Sequence, residues 1–259
     1  MIFEYLIKGG NMTESFVTDI KSNTKKLSIE LSDLQIEQLY KFYEMLVEKN
    51  KVMNLTAITE EHDVVVKHFI DSMSIYGLKI GDEIVDYNFF DNKSMIDVGT
   101  GAGFPGLVLK ILFPNLNIVL SDSLNKRLKF LDEVITELEL KGINLVHGRA
   151  EDLAHNDVYR EKFDFSTSRA VANLSTLSEY DLPFVKKNGY FISYKSGKID
   201  EELKSAGKAI KLLGGEVSFV NAFKLTDDVT DRSIIVINKV SKTPKNYPRK
   251  AGIPSKDPL

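Results

Sequence analysis

The first third of the chain carries apolar residues at the three- and four-residue spacing of amphipathic helices. One run follows Ser32 and Asp33, which suit a helix N-cap, and consists of Ile36, Leu39, Phe42, Tyr43 and Leu46. A second run has an apolar face made of Val66, Phe69, Ile70 and Met73. Residues 27–93 are therefore predicted to form a helical N-terminal extension that packs on the rest of the chain. Residues 1–26 show no sustained period and are predicted to be a flexible N-terminal segment.

From Ser94 onwards, short apolar runs alternate with stretches of helical spacing. Strands are predicted at 95–98, 117–121, 143–147, 163–167 and 190–194. Because helical stretches separate them, these strands should form a parallel sheet with helices on both faces. Two further strands, 216–223 and 233–238, are joined by the short turn 224–231 and should pair antiparallel. Residues 94–240 thus predict an α/β core with a seven-stranded, mostly parallel sheet whose last strand is antiparallel.

The tail, residues 241–259, differs in composition from the core. It holds four of the seven prolines, and from Lys239 onwards six basic residues face a single acid, Asp257. The prolines argue against a helix or a central strand. Two interpretations remain open: a solvated chain end, or an extended basic arm that lies on phosphates.

Composition limits the classes of function. The chain has no cysteine, which excludes disulfides, cysteine zinc sites and a cysteine nucleophile. A formal net charge of -3 gives no sign of a polyanionic partner, so a nucleic-acid surface would have to be a local patch. No apolar run approaches the roughly 20 residues of a membrane span. We expect a cytoplasmic protein, a monomer, and Met12 as the working start of translation.

The stretch 94–106 carries the strongest chemical signal. A buried strand leads into Gly99, Gly101, Gly103 and Gly106, and helical spacing follows. The last three glycines match G-x-G-x-x-G, which would favour a dinucleotide such as NAD(P). Counted from Asp97, however, the pattern is Asp-x-Gly-x-Gly-x-Gly, which resembles the loop of folds that bind S-adenosylmethionine (SAM). Asp97 would then orient the loop or meet the ammonium group of the cofactor.

Two further acidic positions follow neighbouring strands. Asp122 ends the second strand, where a carboxylate can accept hydrogen bonds from both hydroxyls of a ribose. Ala150 and Glu151 follow the third strand, where backbone groups and an acid can read an adenine edge. Because ligands of open α/β sheets bind at the carboxyl ends of strands, these positions indicate an adenosine-containing ligand without choosing between NAD and SAM.

Several short motifs together resemble the RsmG family, also called glucose-inhibited division protein B. They are residues 54–56 (NLT), 68–72 (HFIDS), 97–106 (DVGTGAGFPG), 122–123 with 126–127, 149–151 (RAE), 168–172 (SRAVA), Lys195 with Gly197, and 247–252 (YPRKAG). The resemblance covers the chain from about residue 27 onwards. It implies a class I SAM-dependent methyltransferase with a Rossmann-like fold, which methylates N7 of one guanine in the decoding-region loop of 16S rRNA. The implied partner is 16S rRNA or the small ribosomal subunit.

The resemblance also implies residue roles. Those expected at the cofactor are Asp97, Gly99, Gly101, Gly103, Phe104, Asp122, Ala150, Glu151 and Arg169. Those expected at RNA are Lys126, Arg127, Lys195, Arg232, Arg249 and Lys250. Arg169 and Lys195 would position the reactants, with no residue acting as acid or base and no metal.

The chemistry of the residues agrees with this interpretation. N7 of guanine has a free lone pair, so alignment of the reactants suffices without a general base. Other interpretations stay open: a SAM-dependent enzyme with a protein or small-molecule target, an NAD(P)-linked oxidoreductase, or a non-catalytic rRNA-binding factor. Arg169 could instead form a salt bridge to an acid such as Asp164. His68 and Asp71, three residues apart, favour a structural hydrogen bond over a catalytic role.

Overall fold

The computed structural model describes residues 12–197, 199–226 and 229–259. Its N-terminal part is helical, with α1 (Glu14–Lys26), α2 (Asp33–Met53), α3 (Glu61–Val64), a π-helical stretch at Val65–Ile70 and α4 (Asp71–Met73). A small antiparallel hairpin follows, β1 (Lys79–Ile80) and β2 (Glu83–Ile84). Ser32 caps α2 as the sequence predicts: its Oγ accepts from the backbone N of Gln35 at 3.3 Å, and Gln35 Oε1 accepts from the backbone N of Ser32 at 2.9 Å.

Helix α1 lies inside the segment 1–26, so the prediction of a flexible segment is wrong for residues 14–26. Thr13 caps the helix, with its Oγ1 accepting from the backbone N of Phe16 at 3.0 Å. Phe16 and Ile20 are fully buried and pack into the main apolar core. Two large apolar residues one turn apart are too few to register as a periodic pattern, and tertiary packing stabilises the helix. Residues 1–11 lie outside the described residues.

The core is a seven-stranded sheet, as predicted. Its strands are β3 (Ser94–Val98), β4 (Asn117–Asp122), β5 (Ile143–His147), β6 (Phe163–Arg169), β7 (Val185–Ser196), β8 (Gly215–Thr226) and β9 (Val229–Lys239). They lie in the order β5-β4-β3-β6-β7-β9-β8. The first five pair parallel, and β9 is antiparallel to both β7 and β8. The predicted α/β class, with the last strand antiparallel, is confirmed. Residues 227–228 of the predicted turn lie outside the described ranges.

Helices cover both faces of the sheet. They are α5 (Gly106–Leu112), α6 (Asn125–Glu137), α7 (Ala150–Leu153), α8 (Leu174–Asp181) and α9 (Asp200–Leu212). Strand β9 shows the two faces: Ile234 and Val236 join the core that includes the N-terminal helices, whereas Ile235 and Ile237 pack with α8 and α9. The N-terminal extension thus shares one continuous apolar core with the sheet.

The tail folds back on the core and ends in a one-turn helix, α10 (Ile253–Lys256), with Pro254 in its first turn. The prediction that no part of the tail is helical is therefore wrong for these four residues, because proline is tolerated where the helical N–H has no partner.

The topology gathers the ends of several strands at one edge. Val98, Asp122, Arg169 and Ser196 end the parallel strands β3, β4, β6 and β7. Because β9 runs the other way, Arg232 near its start pairs with Ser196 and reaches the same edge. Within the described ranges, none of the helices has the length and apolar character needed to cross a membrane.

Candidate cofactor and acceptor site

A cavity of about 400 Å³ opens above the carboxyl ends of β3 and β4. We call it the glycine-loop cavity. It is lined by Leu55, Thr56, His68, Gly99, Thr100, Gly101, Ala102, Phe104, Asp122, Ser123, Arg127, Arg169, Ala170 and Val171. One wall is the backbone of the loop after β3, and the opposite wall comes from residues 55–68 and 169–171. The sequence-predicted loop therefore borders a cavity at the edge where open α/β sheets bind ligands.

The glycines act in two different ways. Gly99 and Gly101 line the cavity with φ of 72° and 61°, a left-handed conformation that favours glycine. Gly103 does not line it; a Cβ there would lie 2.9 Å from Leu131 Cδ2, so the missing side chain lets the loop pack on α6. Gly99 and Gly101 shape the cavity wall that a ligand would touch, whereas Gly103 allows the loop behind that wall to pack against α6.

Asp97 stabilises the same loop from its buried side. The side chain is fully buried, and Oδ2 accepts hydrogen bonds from Thr100 Oγ1 at 2.7 Å and from the backbone N of Gly106 at 2.9 Å. These bonds tie the loop to the first residue of α5. Burial raises the pKa of Asp97 to about 6. Asp97 itself does not line the cavity.

Asp122 is held rigidly at the cavity wall. Its Oδ2 accepts from the backbone N of Gly101 at 3.0 Å, and its Oδ1 accepts from the backbone N of Leu124 at 2.8 Å. Arg127 Nη1 lies 3.2 Å from Oδ2 and forms an ion pair with it. A carboxylate has about four lone-pair sites, and these three contacts leave Asp122 one site for a hydroxyl of a ribose.

Three side chains in mutual contact, those of His68, Phe104 and Arg169, form another part of the wall of the glycine-loop cavity. The ring of His68 lies on Phe104, with centroids 4.4 Å apart and planes at 22°. The guanidinium carbon of Arg169 lies 5.0 Å from the centroid of the same ring. Thr56 Oγ1 is 2.9 Å from His68 Nε2. Phe104 and Arg169, both predicted at the cofactor, are thus brought together by a histidine that the prediction left out of the site.

His68 is held in its neutral form. Burial, followed by the nearby Arg169 charge, lowers the pKa of His68 to about 3. Its Nδ1 lies 3.2 Å from Arg169 Nη2, which can only donate. Nδ1 also lies 3.2 Å from the carbonyl oxygen of Lys67, and Nε2 faces Thr56 Oγ1. Both ring nitrogens of His68 therefore have polar neighbours that fix the orientation of the ring.

A second cavity of about 250 Å³ adjoins the first and shares His68, Arg169 and Ala170 with it. We call it the basic cavity. Its full lining is Ile58, Lys67, His68, Asp71, Arg169, Ala170, Tyr194, Lys195, Ser196 and Arg232. The predicted residues Lys195 and Arg232 therefore lie next to the glycine-loop cavity, beyond Arg169.

Asp71 organises the charges of the basic cavity. Its Oδ2 accepts from Arg169 Nη1 at 2.9 Å, and its Oδ1 accepts from Arg232 Nε at 3.1 Å. The carboxylate is 7% exposed, and the two guanidinium side chains are 12% and 16% exposed. The partner of Arg169 is thus Asp71 rather than Asp164, which instead accepts from Ser94 and pairs with Lys186.

Lys195 and Tyr194 of the basic cavity also have partners. Lys195 Nζ donates to the carbonyl of Ala172 at 2.9 Å and pairs with Glu202 at 2.6 Å. Tyr194 donates its hydroxyl proton to the carbonyl of Ser72 at 2.9 Å. Burial raises the pKa of Tyr194 well above its usual value, so the phenol stays protonated.

Ala150 and Glu151 lie outside the lining of the glycine-loop cavity. Glu151 is 5% exposed, and its Oε1 accepts from the backbone N of Gly252 in the tail at 2.8 Å. The loop that leads from β5 to Ala150 and Glu151 is joined to the end of β4, because the backbone N of Gly148 donates a hydrogen bond to the carbonyl of Asp122 at 3.1 Å.

The predicted RNA-binding cations divide into two groups. Lys126 and Lys250 are exposed to solvent. Arg127, Lys195, Arg232 and Arg249 are paired with Asp122, Glu202, Asp71 and Glu179. The tail residue Arg249 therefore has an internal carboxylate where the sequence predicted a phosphate.

The prediction of the site missed Thr56, His68 and Asp71. Their motifs, NLT and HFIDS, were visible in the sequence, but spacing alone favoured a structural role for the histidine and the aspartate. The π-helical stretch at Val65–Ile70 contains His68 and ends next to Asp71. Such stretches are frequent at functional sites, and here it turns both side chains toward β6.

Comparison with known proteins agrees with this geometry. The family described as "rRNA small subunit methyltransferase G" (GidB) matches residues 35–235. Proteins with the name "Ribosomal RNA small subunit methyltransferase G" are similar over nearly the whole chain. The protein from Alkaliphilus oremlandii is 51% identical over 93% of this chain and 97% of its own length. That from Lachnoclostridium phytofermentans is 50% identical over 91% and 94%, and that from Staphylococcus aureus is 47% identical over 91% and 95%. The chain belongs to the rRNA small subunit methyltransferase G family.

Proposed function

We propose that the protein transfers a methyl group from SAM to N7 of one guanine in the decoding-region loop of 16S rRNA. The observation that carries the proposal is the pair of adjoining cavities, which meet at His68 and Arg169 in a member of this methyltransferase family. The glycine-loop cavity would hold the methyl donor and the basic cavity the acceptor base.

The residues of the glycine-loop cavity fit SAM. Gly99 and Gly101 leave the backbone open to close approach, and the Asp122 carboxylate is positioned for a ribose hydroxyl. When bound, SAM supplies a methyl group on a positively charged sulfonium. The side chain of Val171 narrows the loop opposite Gly99, since a Cβ on that glycine would lie 3.1 Å from Val171 Cγ2. A larger residue at position 99 would therefore crowd the ligand.

The groups around the basic cavity suit an acceptor that needs no general base. Both ring nitrogens of His68 have polar neighbours, Asp71 is bonded to two guanidinium groups, and Tyr194 donates to a carbonyl. N7 of guanine would take the methyl group with its in-plane lone pair, the bonding electrons would stay with the sulfur of SAM, and no proton would be released. The work left to the protein is alignment of the two reactants.

Charge balance supports guanine as well. Methylation at N7 leaves the base with a positive charge, which unpaired cations beside it would oppose. Arg169 and Arg232 share the Asp71 carboxylate, and Lys195 is paired with Glu202. The cavity is thus polar without a large uncompensated charge. Exposed cations such as Lys126 and Lys250 would contact RNA phosphates. We also infer that the protein acts in the cytoplasm and as a monomer.

Methyl transfer to small ribosomal subunits tests the proposal. Purified protein is incubated with SAM carrying a labelled methyl group, and the 16S rRNA is digested to nucleosides. We expect the label in N7-methylguanosine, at one site in the decoding region. As a matched control, an RNA fragment of that region made with 7-deazaguanosine should accept no label, because it lacks N7.

Three results would contradict the proposal. Label in another nucleoside would indicate a different acceptor atom. Label in protein or small molecules alone would indicate a different substrate. RNA binding without methyl transfer would indicate a non-catalytic rRNA-binding factor.

A further inference from the structure

The tail is joined to the loop that follows β5 by a series of direct hydrogen bonds. Arg160 donates to the carbonyls of Tyr247 at 2.9 Å and Thr243 at 3.0 Å, and also to the carbonyl of Ala154 at 3.0 Å. His155 Nε2 lies 2.7 Å from the carbonyl of Pro248. One guanidinium thus bridges the tail and the end of α7, which carries Glu151.

A buried ion pair fixes the middle of the tail. Arg249 Nη2 donates to Glu179 Oε2 at 2.7 Å, Arg249 Nε donates to Oε1 at 3.0 Å, and the backbone N of Arg249 donates to Oε1 at 2.7 Å. The Glu179 side chain is fully buried. A buried carboxylate without its partner costs several kcal/mol, so the tail is held firmly against α8.

Beyond Arg249 the tail touches the predicted adenine-side residue. The backbone N of Gly252 donates to Glu151 Oε1, and Thr176 Oγ1 in α8 donates to the carbonyl of Pro254 at 2.9 Å. Glu151 is therefore held by the tail through one oxygen, which leaves the other carboxylate oxygen for a ligand.

Helix α7 needs such support. It has four residues, and among the described residues no side chain caps its first turn. A single turn is far below the length at which a helix is stable by itself, so its position depends on tertiary contacts. The tail supplies one such contact to α7 itself, the hydrogen bond from Gly252 to Glu151. It also contacts the residues just after α7, directly at His155 and through Arg160 at Ala154.

We propose that residues 241–259 form a strap that positions Glu151 and α7 for the adenine end of SAM, with Arg249 and Gly252 as positioning residues. The inference rests on the proposed function, because the role of Glu151 at the cofactor depends on it. It differs from the phosphate arm, which was one interpretation of the sequence. If the tail is a strap, loss of its contacts weakens cofactor binding. If the tail is a phosphate arm, the same loss leaves cofactor binding unaffected.

Cofactor affinity of a double variant tests the strap. Arg249→Gln with Glu179→Gln removes the ion pair without leaving a buried charge unpaired. We expect SAM binding, measured by calorimetry, to weaken about tenfold. Lys245→Gln, an exposed tail cation, is the matched control for loss of positive charge, and its SAM affinity should equal that of the unaltered protein.

Hydrogen exchange separates a local effect from general destabilisation. In the double variant, amides of residues 150–155 should exchange faster, while those of β3 should exchange at the original rate. If the double variant does not fold, Arg249→Lys takes its place in the experiment, because lysine keeps the positive charge but cannot form the bidentate contact with Glu179. Its SAM affinity should then fall at least threefold.

The possible results distinguish the two proposals. If the unaltered protein does not bind SAM, the proposed function fails. If it binds SAM and the folded variants bind equally well, the strap is wrong and the proposed function stands. If Lys245→Gln weakens SAM binding as much as the double variant, the effect is one of charge and the strap is wrong.

Discussion

The two adjoining cavities are built in opposite ways. The glycine-loop cavity owes its inner wall to the backbone of one continuous stretch, 99–104, held from below by Asp97. The basic cavity is formed by five separated segments, which contribute Ile58, Asp71, Arg169, Tyr194 with Lys195, and Arg232. A wall made of backbone sets the shape of a cavity and adds few charges to it. A wall made of charged side chains adds charges that partner residues must balance.

This difference predicts different sensitivities to mutation. In the basic cavity, removal of one charged group leaves its buried partners unpaired, so single substitutions should be costly. In the glycine loop, glycines and backbone form the wall, so the dangerous change is added bulk. His68 belongs to both cavities and connects the two types of wall.

Substitution of Asp71 by alanine should give the largest effect. It leaves Arg169 and Arg232 close together without their shared carboxylate, and we expect a loss of about 3–5 kcal/mol in the free energy of unfolding. Asp63→Ala is the control from the same helical run, because Asp63 forms a partly exposed pair with Lys67 and should cost about 0–1 kcal/mol. Denaturant unfolding measures both. Equal losses of unfolding free energy in the two variants would mean that the ion pairs of Asp71 stabilise the protein no more than a partly exposed pair does.

Added bulk at Gly106 tests the other wall. A Cβ there would lie 2.6 Å from Asp97 Oδ2 and 2.6 Å from Leu120 Cδ2, so Gly106→Ala should destabilise the protein by about 1–3 kcal/mol. At Gly207 in α9, an added Cβ would meet no other atom within 4 Å, and Gly207→Ala should stabilise by about 0.5–1 kcal/mol. Thermal unfolding of the two variants should therefore shift in opposite directions. A neutral Gly106→Ala would show that the loop relaxes freely around Asp97.

The same contrast explains what could be predicted from sequence. The glycine loop is local: its strand, glycines and Asp97 lie within a short stretch of chain, so a pattern reveals it. The alternation of strands and helices likewise predicted the sheet and its antiparallel end. The partner of Arg169 could not be found this way, because Asp71 lies 98 residues away and only the packing of the π-helical stretch against β6 brings the two together.

The carboxylate partner of the tail residue Arg249 could not be found from the sequence for a related reason. Composition shows that residues 241–259 are basic and rich in proline, but it does not show that Glu179 is buried under them. Arg249 looks like a phosphate contact in sequence and is an internal ion pair in the structure. Glu179 lies on α8, 70 residues before Arg249 in the chain, so neither residue indicates the other.

The wall shared by both cavities should respond to pH. The pKa of His68 is lowered from 6.5 to about 3 in the folded protein, so the unfolded chain binds one more proton between these values and stability falls as pH decreases. Between pH 7.5 and 5.5 this single site should remove about 1.4 kcal/mol from the free energy of unfolding. In His68→Gln that contribution is absent. The difference in unfolding free energy between the unaltered protein and this variant should therefore shrink by about 1.4 kcal/mol over this range. Parallel pH profiles would mean that His68 is not held neutral between Thr56 and Arg169, and the two cavities would then lack a rigid common wall.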